Sequence, residues 1–405
     1  MFLETKNEAE CLGCEACVQV CPKSAIFMEE DAEGFRYPRI DSGRCIDCGL
    51  CQKVCPSENS IEGYVDDKYV FGGYINDSQK RFDSTSGGAF SAIVDAFCDD
   101  SYVIFGAEAK GLDVFHSYIT DKSLLGKYRK SKYSQSVIGT AYVDARKFLD
   151  EGKKVLFSGT PCQIAGLRSY LCATKTDEQN LLTVEVICEG VPSPLYVRKL
   201  DKYISQRHGS GIKMLDYRYT GKSILGHGKW DFQVMQIILE NGKRIVLDRW
   251  LNPFWSVWLQ HLMSRPSCYE CQFTSPSRVA DITLGDLWGV HLYCPELYGN
   301  NGGSSLVLCN TDKAKACFVK AKTLMYGHEL RFSDALKYQS PLKKNISKND
   351  LRNDFIKDLQ SDLTYRKINK KWAKGLTLKL WIQKYIWGNR QKVFLWNLLK
   401  KIHHR

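Results

Sequence analysis

The chain has 405 residues, of which 44% are hydrophobic and 25% charged; this composition is typical of a soluble globular protein with two or three domains. No apolar run approaches the roughly 18–20 residues of a membrane-spanning helix, and the N-terminal sequence MFLETKNEAEC lacks the apolar core of a signal peptide. The 17 cysteines are an odd number, which argues against a secreted disulfide framework and leaves thiolates available for metal. We therefore expect a cytoplasmic, metal-binding protein.

The net charge of +12 is concentrated at the C-terminal end. Residues 366–405 contain 12 Lys or Arg and no acidic residue, so removing these 12 from the total of 57 leaves 45 basic against 45 acidic residues. The chain is therefore a neutral protein with a basic tail, and its net charge does not by itself indicate a nucleic-acid-binding protein.

A cysteine motif occurs twice near the N-terminus, as CLGCEACVQVCP at residues 11–22 and CIDCGLCQKVCP at residues 45–56. This spacing is typical of domains with two 4Fe-4S clusters, in which the first three cysteines of each motif bind one cluster and the fourth binds the other. Two zinc sites are the alternative, but the triple spacing fits zinc poorly. Residues 1–62 are thus expected to form a ferredoxin-type domain. The expected ligands are Cys11, Cys14, Cys17 and Cys55 for one cluster, and Cys45, Cys48, Cys51 and Cys21 for the other.

The segment from Lys153 to Leu171 predicts a strand at residues 155–157, a turn at residues 158–161 and then a helix. Cys162 would lie in the first helical turn, where the helix dipole and free N–H groups favour a thiolate. A second apolar strand ends near Cys188. Strand, helix and strand in this order predict a parallel crossover, which places Cys162 and Cys188 at the same edge of the sheet.

A CxxC pair, Cys268 and Cys271, precedes a third apolar strand that is flanked by Asp281 and Asp286. Alone, such a pair fits zinc, a redox dithiol or two unrelated thiols equally well. Together with Cys162 and Cys188 it supplies four thiolates, enough for a third cluster. Buried structural cysteines are the alternative interpretation.

Several ordered motifs within about residues 70–310 resemble the beta-subunit family of coenzyme F420 hydrogenases and dehydrogenases. These are STSGGAFSAIV, SKYSQS, GKKVLFSGTPCQIAGL, ICEGVPSP, RPSCYECQF and ADITLGDLWG. The resemblance implies FAD, an iron–sulfur cluster on Cys162, Cys188, Cys268 and Cys271, and electron exchange with a two-electron deazaflavin carrier; some relatives reduce chlorophyll-type pigments, and others carry an N-terminal ferredoxin domain. It implies an α/β body at residues 63–325, with parts at about 70–150 and 151–325.

Two loops are candidates for contact with the flavin, at residues 84–94 and 126–136. Glycines allow close approach of backbone N–H groups to a phosphate, and basic residues suit a diphosphate or an acidic carrier. A helix N-cap and a solvated basic loop are the respective alternatives, and no GxGxxG or Walker motif is present. The resemblance implies flavin contacts at Ser86, Gly87, Gly88, Lys132 and Ser136.

Residues 326–405 are expected to form a helical, basic, tryptophan-rich tail, interrupted by Gly375 and Gly388. A segment of this type binds an anionic membrane surface or packs as an arm on protein, and both interpretations stay open. Nucleic acid is not expected, because no base-reading motif is present. The tail contains four of the nine tryptophans, Trp372, Trp381, Trp387 and Trp396.

The expected architecture is therefore a small ferredoxin-like domain, an α/β flavin- and cluster-binding body and a helical tail. The expected function is an iron–sulfur flavoprotein oxidoreductase, fed by ferredoxin or a redox partner subunit and coupled to a two-electron carrier or substrate. The alternatives are a non-catalytic electron-transfer subunit, and an accessory protein of envelope polysaccharide biosynthesis at the inner membrane face. No catalytic residue is identified, although His116, His227 and His291 are candidate proton donors.

Overall fold

A computed structural model describes residues 1–65, 68–99, 101–221, 234–247, 252–298 and 302–375, with six isolated positions beyond. The N-terminal region consists of an antiparallel hairpin and short helices, and this arrangement confirms the expected ferredoxin-like region. Each cysteine motif leads into one of the short helices, on either side of the hairpin. The elements are α1 (Phe2–Thr5), α2 (Ala16–Val20), β1 (Ile26–Glu30), β2 (Arg36–Ile40) and α3 (Leu50–Lys53).

The body is built on a mixed sheet that has eight strands within the described ranges. These strands are β3 (Tyr69–Ile75), β4 (Tyr102–Lys110), β5 (Asp113–Ile119), β6 (Lys154–Gly159), β7 (Leu181–Val186), β11 (Ile282–Asp286), β12 (Ser305–Cys309) and β13 (Met325–Glu329). Their order is β13-β3-β12-β11-β7-β6-β4-β5, in which β4, β6, β7 and β11 are mutually parallel neighbours and the other pairs are antiparallel. The predicted parallel crossover between β6 and β7 is thereby confirmed.

A small antiparallel sheet contains β8 (Ile212–Asp216), β9 (Met235–Leu239) and β10 (Arg244–Leu247). Helices cover both faces of the main sheet and the outer side of the small one. They are α4 (Ser78–Phe82), α5 (Ala89–Phe97), α6 (Ala141–Asp150), α7 (Pro161–Ala173), α8 (Pro194–His208), α9 (Pro253–Trp258), α10 (Val290–Tyr293), α11 (Asp312–Lys322), α12 (Phe332–Lys337), α13 (Arg352–Gln360) and α14 (Tyr365–Trp372).

Alternation along the central strands divides the core into two layers, as strand geometry requires. Val155 and Phe157 of β6 face a cluster that includes side chains of α6 and α7. Leu156 lies on the opposite side, in a cluster with residues of α5 and α11. Because both faces of the sheet are covered, its central strands are apolar throughout, as parallel strands usually are.

Strand β6 is longer than the sequence predicted. Ser158 and Gly159, expected in a turn, continue the strand and pair with Val184 and Glu185 of β7. The Ser158 hydroxyl donates to the carbonyl of Phe105 at 2.9 Å, so the neighbouring strand accommodates this polar side chain. The turn is thus reduced to Thr160, and α7 begins at Pro161.

The main sheet continues beyond the boundary expected at residue 325, because β13 pairs with β3 at its edge. Further on, α14 packs on the body through buried Tyr365 and Ile368. The Trp372 indole donates to Asp358 at 2.7 Å. The first part of the expected tail is therefore a packed arm, whereas Trp381, Trp387 and Trp396 lie outside the described residues.

None of the helices that the structure describes has both the length and the apolar character needed to cross a membrane.

Candidate functional site

The loops of the two cysteine motifs have the same backbone shape. In the first, Gly13 and Glu15 adopt left-handed conformations, with φ of 68° and 61°. In the second, Asp47 and Gly49 occupy the equivalent positions, with φ of 50° and 70°. Left-handed residues at alternate positions curl a short chain tightly, and here they flank the second cysteine of each motif. The repeated spacing thus produces a repeated loop.

Each loop encloses a pocket that is completed by a cysteine of the other motif. The first pocket is lined by four cysteines that we call the inner set, Cys11, Cys14, Cys17 and Cys55. The second is lined by the outer set, Cys21, Cys45, Cys48 and Cys51. These groupings are the two ligand sets that the sequence predicts, with the last cysteine of each motif exchanged between the pockets.

The two sets differ in burial. Cys14 of the inner set is 8% exposed, whereas Cys48 of the outer set is exposed. Burial raises the pKa of the Cys14 and Cys17 thiols, and the neighbouring cysteines raise it further. Four closely spaced thiolates, of which Cys14 is buried and the others partly buried, repel one another and lose hydration, so they need a cationic group between them. Iron supplies that charge, because a coordinating thiol is deprotonated by its metal.

A third group of cysteines, the body set, comprises Cys162, Cys188, Cys268 and Cys271. Cys162 follows β6 in the first turn of α7, and Cys188 follows the parallel strand β7 by two residues. Cys268 ends a short 3-10 helix that begins at Pro266. Since β6 and β7 end at the same edge of the sheet, Cys162 and Cys188 are neighbours in space.

The thiols of the body set lie close enough together to influence one another's charge. Burial raises the pKa of the Cys188 thiol, and repulsion from Cys268, Cys162 and Cys271 adds to that effect. Burial likewise raises the pKa of Cys162 to about 11 and that of Cys268 to about 12. Gly190 packs directly on Cys268, because a Cβ at this glycine would lie 3.1 Å from the Cβ of that cysteine. Four thiolates at one place are a donor set of the kind that binds an iron–sulfur cluster.

Helix α7 joins the inner set to the body set. A Cβ added to Gly166 would lie 3.0 Å from Cys14 Cβ and 3.2 Å from its Sγ, so the helix and the first cysteine loop are in direct contact. Cys162 is four residues earlier on the same helix, about 6 Å along its axis at the usual rise per residue. The pKa of Cys14 accordingly responds to Cys162 as well as to its own set.

Arg265 fills the space between these two sets. Its side chain is 1% exposed and donates to the carbonyls of Cys11 at 2.9 Å and Arg36 at 3.0 Å. It also donates to Gln135 Oε1 at 3.0 Å and stacks on the ring of Tyr37, 4.3 Å from the centroid. Burial raises the pKa of the nearby Cys162 and Cys268 thiols, and the guanidinium of Arg265 partly offsets this rise. Sequence reasoning missed Arg265, although it lies immediately before the predicted CxxC segment.

Two of the predicted flavin contacts are engaged in packing. The Ser86 hydroxyl donates to the carbonyl of Ser304 at 2.8 Å. A Cβ at Gly87 would lie 2.4 Å from the carbonyl oxygen of Gly73 and 2.5 Å from the nitrogen of Ser305, so strands β3 and β12 require glycine here. Gly88 has φ of 79° and precedes α5. The alternative of a close-packed N-terminal turn therefore accounts for this loop.

Lys132 and Ser136, on the second loop, also have protein partners. Lys132 donates to the carbonyls of Lys127 at 3.0 Å and Arg129 at 2.7 Å, and burial lowers its pKa to about 8. The backbone N–H of Ser131 donates to Thr85 Oγ1 at 2.8 Å, so the two loops are in contact. The side chains of Ser86 and Lys132 thus both have partners within the protein.

Ser136 belongs to a buried network that reaches the body set. His116 Nε2 donates to the carbonyl of Ser158 at 2.9 Å, which leaves Nδ1 to accept from Ser136 Oγ at 2.9 Å. Gln163 donates to Ser136 Oγ at 2.8 Å and accepts from Thr160, whose hydroxyl lies 3.1 Å from Cys162 Sγ. Burial lowers the pKa of His116 to about 4, so this candidate proton donor is neutral at pH 7.

Of the other candidate proton donors, His291 lies on α10, and its ring centroid is 5.3 Å from that of Tyr298. It belongs to none of the three cysteine segments of the sequence. His227 falls outside the described residues.

The carboxyl end of β11 adds a charged pair that the sequence only hinted at. Asp286, the last residue of this strand, accepts from Arg218 at 2.9 Å, and Arg218 also donates to Tyr133 at 3.3 Å. Burial raises the pKa of Glu189, which follows Cys188 directly, and Asp286 raises it further. Acidic and basic side chains thus flank the body set at the sheet edge where ligands bind in folds of this kind.

Comparisons with known proteins agree with this arrangement. Residues 10–59 match a 4Fe-4S dicluster domain, and residues 152–329 match the family described as the C terminus of the coenzyme F420 hydrogenase/dehydrogenase beta subunit. The expected family resemblance is thereby confirmed. No curated protein sequence gives a significant match.

Among solved structures, the fold is similar to a chain of the xenon-derivatised F420-reducing NiFe hydrogenase complex from Methanosarcina barkeri. The TM-score is 0.43 at 17% identity, over 76% of this chain and 93% of the other.

Proposed function

We propose that electrons pass between the protein surface and the body through the three cysteine sets in sequence. The proposal starts from the match of the chain to a 4Fe-4S dicluster domain and to the coenzyme F420 hydrogenase/dehydrogenase beta-subunit family. Bound 4Fe-4S clusters would supply the one-electron chemistry. The observation that carries this proposal is the contact of Gly166 with Cys14, one turn of α7 away from Cys162. A body that merely supported a ferredoxin domain would not need its cysteines at this junction.

The burial of the three sets orders the path from the protein surface to the interior. The outer set reaches the surface at Cys48, so a one-electron carrier can approach it there. The inner set is enclosed by its own loop, α7 and Arg265, which exclude water from this side. The body set lies at the carboxyl edge of the sheet, beside Asp286 and Arg218. A substrate or carrier bound at that edge would exchange electrons with the body set.

Iron content tests the third site directly. Anaerobically reconstituted protein should contain about 12 iron atoms per chain if all three sets hold 4Fe-4S clusters, and about 8 if only the N-terminal sets do. Replacement of Cys188 by Ala should reduce the content by about four iron atoms. The matched control is Cys317→Ala, since this cysteine is also partly buried but lies on α11, outside all three sets. Equal iron in both variants and the parent would refute the third site.

The proposal extends to FAD as the group that would couple one-electron transfer to a two-electron partner. What supports this extension is the set of family motifs, together with the basic loop that contacts residues 84–88. The binding residues would have to differ from Ser86, Gly87 and Lys132, whose partners are within the protein. Extraction and quantification of flavin from the anaerobic preparation tests this extension. A preparation with full iron and no flavin would remove FAD and leave the electron path intact.

A second candidate function is an electron-transfer subunit of a larger enzyme. The family description itself names a beta subunit, and the exposed outer set would suit a redox partner subunit as well as a soluble ferredoxin. Co-purification with a catalytic partner, together with inactivity of the isolated chain towards two-electron acceptors, would favour this function. Turnover by the isolated chain with coenzyme F420, a quinone or a nicotinamide would exclude it.

The envelope-polysaccharide alternative depends on membrane binding by residues 366–405. Residues up to Trp372 pack on the body, and most of the later ones lie outside the described residues. Flotation with anionic liposomes, compared between the full chain and one ending at residue 375, is the experiment for this alternative.

A further inference from the structure

A second type of metal-ligand cluster lies apart from the cysteine sets. The side chains of Cys294, Glu296 and His328 converge so that one ligand atom of each lies within 4.8 Å of the other two. Cys294 Sγ is 3.0 Å from Glu296 Oε1, and the same oxygen is 3.5 Å from His328 Nε2. Residues 294 and 296 are close in sequence, but His328 is brought to them only by the fold.

The scaffold holds these side chains from two directions. Cys294 ends α10, where its backbone N–H donates to the carbonyl of Val290 at 2.8 Å. Its side chain is 2% exposed and packs in a cluster with Leu287 and Leu306. His328 lies on the edge strand β13, opposite Gly72 of β3. The thiol is therefore fixed by the core, while the imidazole is presented by a hydrogen-bonded strand.

The spacing of the ligand atoms suits a tetrahedral cation. Zinc binds sulfur at about 2.3 Å and nitrogen or oxygen at about 2.0–2.2 Å, which places any two tetrahedral ligands about 3.4–3.6 Å apart. The separations of 3.0 Å and 3.5 Å lie near that range, and ligand atoms of Cys294 and His328 lie within 4.8 Å of each other. Only small side-chain rotations are needed, since Glu296 and His328 are 47% and 43% exposed and have room to adjust.

We propose that Cys294, Glu296 and His328 bind one Zn²⁺ ion, with water as the fourth ligand. One thiolate and one carboxylate balance the charge of the ion, and the imidazole completes a protein ligand set of borderline softness. Magnesium and calcium are disfavoured, because they select oxygen ligands only. The ion would fasten the segment that follows β11, and with it Asp286, to the edge strand β13. Binding of the ion at this site does not require the iron–sulfur clusters.

The test uses full-length, anaerobically reconstituted protein of measured iron content. It is incubated with one equivalent of ZnCl₂ and desalted, and zinc and iron are then measured in the same sample by mass spectrometry. We expect about one zinc ion per chain with unchanged iron, and zinc affinity weaker by about tenfold or more in His328→Gln. His208→Gln is the matched control, because this partly exposed histidine is in the last turn of α8 and is not one of the three ligands.

Cys294→Ser is a second variant, but it alters a buried residue. If the serine variant does not fold, the result for His328→Gln decides the test. X-ray absorption at the zinc edge should show one sulfur and two or three nitrogen or oxygen neighbours. Absence of bound zinc from the iron-loaded parent would overturn the site, as would unchanged zinc affinity in His328→Gln or a shell of several sulfurs. Because iron is counted in every sample, failure of this site is distinguishable from failure of the iron–sulfur sets.

Discussion

The inner and outer cysteine sets are built from one motif but stand in opposite surroundings. Their loops share left-handed residues at the same two positions. At Gly13 of the first loop an added Cβ would lie 2.5 Å from Gln135 Nε2, whereas Asp47, its counterpart in the second loop, is exposed. Cysteine spacing therefore determines the shape of a loop, while the rest of the chain determines whether that loop is enclosed. Reciprocal substitutions can separate these two contributions.

The largest effect is expected from Gly13→Asp, which gives the inner loop the residue found in the outer one. Its side chain would collide with Gln135 and come within about 3 Å of Arg265, both of which are held by several hydrogen bonds. Overpacking of this kind costs about 1–3 kcal/mol. We expect about four fewer iron atoms per chain and a lower unfolding temperature. If the variant keeps its full iron content and the unfolding temperature of the parent, the space around Gly13 is loosely packed.

Arg265→Gln should have the next largest effect, because it removes the cation between the inner and body sets. Two backbone carbonyls would lose their donors, each at a cost of about 1–3 kcal/mol. Loss of the positive charge should also lower the reduction potential of the inner set more than that of the outer set.

A redox titration followed by electron paramagnetic resonance measures this difference. Arg265→Lys is the control, since it keeps the charge but loses the forked geometry. Equal shifts at both N-terminal sets would contradict the placement of Arg265.

His116 is enclosed like the inner set, and its contribution to the free energy of unfolding depends on pH. Burial lowers its pKa from 6.5 to about 4, so folding favours the neutral ring. Its stabilisation is complete above pH 6.5 and declines as the pH falls towards 4, with a loss of about 2 kcal/mol by pH 5.

The unfolding free energies of the parent and His116→Gln should therefore converge by that amount between pH 7 and pH 5. Taking the difference between the two proteins cancels any acid lability that they share. A difference that stays constant with pH would show that His116 is not enclosed.

The smallest effect is expected from Asp47→Gly, the reciprocal of the first substitution. Asp47 has φ of 50°, a conformation that glycine adopts without strain, and its loop is on the exposed side of the domain. We expect full iron content and a change in unfolding free energy below about 1 kcal/mol. Loss of iron here would mean that the 3.5 Å hydrogen bond between Cys45 and Asp47 contributes more to cluster binding than the backbone conformation of the loop does.

Sequence reasoning reached the elements that depend on local pattern. The two cysteine motifs, the start of α7 at Pro161 and the parallel pairing of β6 with β7 all follow from spacing and periodicity. It did not reach Arg265, because nothing in a single sequence distinguishes an arginine that fills an internal junction from one on the surface. The His328 contact was hidden for a related reason, since its partners are more than thirty residues earlier in the chain.

Glycines illustrate the same limit. The sequence suggested that Gly87 and Gly88 leave space for a ligand, but at Gly87 the space is filled by the backbones of Gly73 and Ser305. A glycine that admits another strand and one that admits a phosphate look alike until the fold is known. Gly166 was not noticed at all, although it permits the contact of helix α7 with Cys14 of the first cysteine loop.

The unequal enclosure of the two loops also sets an order of damage in air. Oxidants attack accessible thiolates first, so the outer set, with its exposed Cys48, will be lost before the inner set behind Arg265 and α7. On the proposed path, a briefly aerated molecule would then be disconnected from its one-electron carrier while its interior stays whole. Repair would need only a new cluster at the surface, without unfolding of the core that the two domains share.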